Sequence, residues 1–123
     1  MNAVFPVLSK RGTGIAGAID RAVLGEWCDG DSAAIDALLA VFRDSALAEH
    51  TRLVNALACD DLTAFAKAAH RLRGVALSMG AHDLAEAAAT LDKAARALDR
   101  TGCVDAMPVL ETRMSVMEAE VPT

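Results

Sequence analysis

From about residue 31 to the end of the chain, apolar residues recur three and four positions apart, and no stretch sustains an alternation of period two. This pattern predicts an all-α fold. Asp31 or Ser32 can cap a long helix reaching about Leu57, with Ile35, Leu38, Leu39, Phe42, Ala46, Leu53 and Leu57 as its inward stripe. Asp60 or Asp61 caps the next, from Leu62 to about Met79, along the seam Leu62, Phe65, Ala69, Leu72, Ala76 and Met79. Gly80-Ala81 ends that helix. A third runs from about His82 to Arg100 with Leu84, Ala88, Leu91, Ala95 and Leu98 inward, and Thr101-Gly102 stops it. The last, from about Asp105 to Glu120, buries Met107, Leu110, Met114, Met117 and Val121, with Pro108 in its first turn.

Ahead of these elements, residues 1–17 hold Pro6, Gly12, Gly14 and Gly17 without a clear period and read as a flexible tail. The run from Ala18 to Cys28 predicts a short helix, broken by Asp29-Gly30 and anchored by Trp27, that covers one end of the bundle. Short connections favour packing of neighbours in alternating directions. The expected architecture is an antiparallel up-down-up-down four-helix bundle with a short N-terminal capping helix, spanning residues 18–121.

Composition narrows the function classes. At 123 residues with 54% hydrophobic content, the chain supports one core and one domain. A net charge of -5 argues against nucleic-acid binding, which needs a concentrated excess of Lys and Arg. Mean hydropathy is positive at +0.30, yet charges interrupt every apolar run short of a membrane span, so alanine-rich helices account for the value. Cys28, Cys59 and Cys103 are odd in number and include no Cys-x-x-Cys pair, which suggests neither a disulfide framework nor a zinc site. No secretory signal is evident after Lys10 and Arg11, and a reducing cytoplasm is the expected compartment.

Candidate chemistry lies on the second long helix. With roughly 100° per residue, His70 points roughly 135° from the core direction. Lys67, Arg71, Gly74 and Ser78 share that outer half, Leu77 lies on or near it, and Arg73 sits on the flank. A solvated histidine therefore has cationic side chains one turn before and after it. Gly74 stands out, because a glycine inside a helix costs on the order of 1 kcal/mol relative to alanine, the residue this chain uses elsewhere. One turn after His70, it leaves the imidazole open to a bulky partner; the structural alternative is close packing of helix backbones at Gly74.

The string Ala69-His70-Arg71-Leu72-Arg73-Gly74, continued by Met79-Gly80-Ala81 and Leu84, resembles the histidine phosphotransfer (HPt) family pattern. Its usual form is Ala-His-x-Leu-Lys-Gly, then a Gly-Ala pair, then a helix containing Leu-Glu and a basic residue. The likeness extends from Ile19 and Asp20 through Phe42, Ala56-Leu57 and Asp61 to the last helix. It implies a phosphocarrier rather than an enzyme: His70 takes a phosphoryl group from a receiver-domain aspartate and returns it to another receiver. Two positions depart from the pattern. Arg73 replaces the usual lysine and adds bidentate phosphate geometry. Asp92 aligns with the family's carboxamide or carboxylate that steadies Nδ1 of the histidine, one methylene shorter than the commoner glutamate.

On that resemblance, Nε2 of His70 attacks phosphorus while Asp92 orients the ring through Nδ1-H without taking the proton. Lys67, Arg71, Arg73 and Arg96 are the cations available to the equatorial oxygens, although Arg96 also stands four residues after Asp92, where an ordinary ion pair forms. Gly74, Arg71, Leu77 and Ser78 are the access and docking positions. No phosphate-binding glycine loop or Walker-type lysine is present, so the chain is expected neither to bind ATP nor to phosphorylate itself; the resemblance implies no cofactor here, with Mg2+ belonging to the partner receiver. The expected partners are receiver domains of response regulators, a hybrid sensor histidine kinase, or both, with the chain a monomer. Two other classes are weighed. A metal- or haem-binding bundle needs converging ligands, but Glu-x-x-His is absent and His50 and His82 read as solvated. A helical docking adaptor without phosphoryl chemistry differs from the carrier only in whether His70 is phosphorylated.

Overall fold

The computed structural model describes residues 19–122, and within them every regular element is a helix. The helices are α1 (Arg21–Trp27), α2 (Ser32–Ala58), α3 (Leu62–Ser78), α4 (His82–Arg96) and α5 (Arg100–Glu120). The expected tail at residues 1–17 lies outside the described residues, as does Ala18.

Four of the five helices start at an aspartate whose carboxylate accepts from the exposed amides of the first turn. Asp20 takes Ala22 N-H at 3.0 Å, Asp31 takes Ala33 and Ala34, Asp61 takes Ala64 at 3.0 Å, and Asp99 takes Gly102 at 2.9 Å. Only α4 begins without a side-chain cap, and Asp83 in its first turn complements the helix dipole instead.

Consecutive long helices pack on one another in chain order, α2 against α3, α3 against α4, and α4 against α5; α2 also touches α5, and α1 rests on α2. The core seams of α3 and of α5 are buried as the periodicity predicts, apart from Leu62, which is half-buried. The buried residues of α3 and α4 are largely small, Ala68, Ala69 and Ala76 from one and Ala85, Ala88 and Ala95 from the other, while Phe65, Leu72, Leu84 and Leu91 provide the bulk. Gly80 turns the chain between them with a φ of 70°, and a side chain there would collide with Asp20, whose N-H donates to Met79 O at 3.2 Å. The entry to α1 is thereby tied across the end of α3.

Several expectations are corrected. Trp27 does not anchor α1: it is 64% exposed, and the fully buried Leu24 does the anchoring. The break between α4 and α5 falls at Ala97-Leu98-Asp99, so α4 ends at Arg96 and α5 begins at Arg100 rather than near Asp105. Leu98 is not inward; it takes a left-handed φ of 57° and is 77% exposed. The reason is capping: Asp99 serves as N-cap by occupying the place a side chain on Gly102 would fill. Gly102 thus lies within the first turn of α5 and does not terminate α4. Pro108 consequently sits inside α5, where its missing N-H leaves the Val104 carbonyl without its helical donor. His50 is not simply solvated, because its Nε2 lies 2.9 Å from Glu111 Oε2 and links α2 to α5.

Candidate functional site

His70 emerges from the middle of α3 on its solvent side, with 63% of its side chain exposed. Its neighbours Ala69 and Leu72 are fully buried, so the core grips the helix on the opposite side and fixes where the imidazole emerges. One turn further on, a Cβ built on Gly74 would meet nothing within 4 Å. Backbone packing therefore does not explain that glycine, and the space over the ring is open. Ser78 donates from Oγ to the Gly74 carbonyl at 3.0 Å and is half-buried, while Leu77 beside it is 42% exposed.

From the neighbouring helix α4, Asp92 reaches toward the imidazole. Its Oδ2 lies 3.9 Å from His70 Nδ1, beyond hydrogen-bonding range, while its Oδ1 accepts from Arg96 Nε at 2.7 Å. Only 17% of the Asp92 side chain is exposed. The structure thus brings together His70, Asp92 and Arg96, with the arginine holding the carboxylate at the edge of the ring.

The remaining cations divide. Lys67 and Arg73 are exposed and pair with no carboxylate among the described residues. Arg71, expected on the outer half, keeps half of its side chain exposed and donates from Nε to Glu49 Oε1 of α2 at 3.1 Å. Arg52 donates to the other oxygen of the same carboxylate at 2.8 Å. Glu49 is the one charged residue buried among the described residues, and sequence reasoning missed it. The signal was present: Glu49 falls between Ala46, Leu53 and Ala56 on the inward stripe and has an arginine three residues on. No cluster of three metal-ligating side chains occurs among the described residues.

An exposed histidine with a clear approach, a carboxylate edging its Nδ1 side and cations around it can accept and release an anionic group at Nε2. The Hpt domain family model matches residues 37–120, more than half of the chain and all of α3 to α5. The chain belongs to the Hpt domain family. No curated protein and no solved structure matches it. Hpt domains are phosphocarriers of phosphorelays that engage receiver domains and transfer phosphoryl groups through a histidine. His70 lies within the matched span. Among the described residues no helix is long and apolar enough to cross a membrane.

Proposed function

We propose that this Hpt domain accepts a phosphoryl group on Nε2 of His70 from a receiver-domain aspartate and passes it to a second receiver. The P–O bond to the aspartate breaks as the N–P bond forms, and the aspartate leaves as a carboxylate. The reverse exchange loads the next receiver. The observation that carries this reading is the open imidazole beside a glycine that has no packing reason to be one.

Asp92 orients the ring and offsets the positive charge that develops on attack, and Arg96 holds Asp92 in place while adding a cation. Arg73 and Lys67 supply charge to the phosphoryl oxygens, where positioning and electrostatics account for most of the catalysis. Gly74, Leu77 and Ser78 receive the partner surface, with Arg71 at its margin. The receiver brings Mg2+; this chain holds no cofactor of its own. The bundle acts as a monomer over residues 18–121, packed up-down-up-down with α1 as its cap, in the cytoplasm, and its partners are response regulators or a hybrid sensor kinase.

The test is phosphoryl transfer from a panel of phosphorylated receivers. The wild type is expected to gain acid-labile, base-stable phosphate, and His70→Gln to remain folded and unlabelled. Label retained in His70→Gln overturns the site, and a wild type that no receiver labels overturns the carrier reading in favour of a docking adaptor.

A further inference from the structure

Beside His70, between α2 and α3, runs a groove of about 320 Å³. One wall is Arg52, Asn55 and Ala56 of α2 with its C-cap Cys59, spaced three, one and three apart; the other is Asp61, the N-cap of α3, with Ala64, Lys67 and Arg71. Lys67 stands one turn before His70 and Arg71 directly follows it, so the groove opens at the edge of the phosphorylation face.

Cations outnumber carboxylates along the wall of this groove, Arg52, Lys67 and Arg71 against Asp61. Asp61 is committed to the N-terminus of α3 through Ala64 N-H. Glu49 lies below the surface with 10% of its side chain exposed, and two guanidiniums share its single negative charge. Each arginine is held by one nitrogen and keeps about half of its side chain exposed, and no described acceptor takes its remaining N-H groups. Lys67 adds an ammonium that pairs with no carboxylate among the described residues. In a chain of net charge -5, a local cationic trough with an alanine floor is selective for an anion carried on an aliphatic stem.

We propose that this groove takes a glutamate or aspartate side chain from the receiver surface when the receiver's aspartate faces His70, and that Glu49 is the positioning residue that holds Arg52 and Arg71 apart as its two walls. The inference rests on the carrier reading and adds to it a determinant of partner choice. Charge complementarity and continuity with the His70 face argue for a receiver carboxylate as the occupant.

The experiment uses the receiver that labels the wild type fastest. Arg52→Gln is expected to raise KM for that receiver about tenfold, while the transfer rate at saturation stays within about twofold. The KM of the wild type should climb steeply with salt, and that of Arg52→Gln should climb less. Ala64→Glu, which fills the groove with a carboxylate of the chain's own, should raise KM similarly and keeps the test decisive should Arg52→Gln fold poorly. Arg113→Gln, an equal loss of charge on α5, should leave KM unchanged. Labelling of all variants with the wild-type KM overturns the groove and leaves the carrier intact; an equal effect at Arg113 assigns the attraction to net charge and also overturns it. A wild type that no receiver labels overturns both readings.

Discussion

Asp92 holds Arg96 at 2.7 Å through one carboxylate oxygen and stands 3.9 Å from Nδ1 of His70 through the other. The spacing of four residues between Asp92 and Arg96 makes their pair local to α4, so it forms without help from α3. The imidazole contact is the adjustable one, about 1 Å short of a hydrogen bond. A receiver that closes over this face, or a phosphoryl group that draws Arg96 away, has only that gap to remove.

This geometry limits what Asp92 contributes. Asp92→Asn keeps the shape and an acceptor oxygen but loses the charge, and it should slow transfer by less than about tenfold, equivalent to about 1.4 kcal/mol in the barrier. Single-turnover transfer from a labelled receiver measures it. A loss beyond about a hundredfold means that the carboxylate is bonded to the ring throughout and that the 3.9 Å separation does not describe the working state.

Gly74 separates helix stability from access. Because an added Cβ meets open space, Gly74→Ala should stabilise the bundle by about 1 kcal/mol, the ordinary helix-propensity difference, and raise Tm by several degrees. Transfer should be little affected. Gly74→Gln should keep the helix but slow transfer, since its longer side chain stands over the imidazole. Calorimetry alongside receiver titration resolves the two effects, and a Gly74→Gln variant with unimpaired transfer contradicts the access role.

The contrast between what periodicity predicts and what forms is physical in origin. The seams of α3 and α5 were legible because apolar spacing reports burial directly, and His70 was legible because it lies opposite such a seam. The α4–α5 boundary was not, because Leu98 satisfies the apolar period while the backbone there follows Asp99, whose cap outweighs the burial of one leucine. Within the site, the direction of His70 was a local property of one helix. The attachment of Arg71 to Glu49 and the distance between Asp92 and His70 depend on how neighbouring helices sit, and spacing within one helix does not carry that information.

Leu98 offers a test of that account. It has a left-handed φ of 57° and most of its side chain in water, so it bears the backbone cost without a burial gain. Leu98→Gly should stabilise the protein by about 1 kcal/mol, because only glycine enters this region without a Cβ clash. Chemical denaturation gives the value. Destabilisation would mean that Leu98 rests against something in the native state that offsets its strain.

Cys103 carries the last prediction. Burial pushes its thiol above the ordinary range, with the Asp99 carboxylate adding to the rise and Arg100 opposing it. It is fully buried in the first turn of α5, whereas Cys59 is exposed and Cys28 half-buried. Alkylation at neutral pH should therefore modify Cys59 first, Cys28 more slowly, and Cys103 only as the bundle opens. The same shift sets a pH dependence. As pH rises past the ordinary thiol pKa of about 8.5, the unfolded chain loses this proton while the folded chain keeps it. The unfolded state then binds fewer protons, and stability declines with rising pH from there to the folded thiol's own pKa. Below that window the contribution is constant. Denaturation midpoints compared between the wild type and Cys103→Ala across pH 7 to 10, a range of about three units around the thiol pKa, isolate this slope from other titrating groups. Parallel curves for the two proteins would show that Cys103 ionises as readily folded as unfolded.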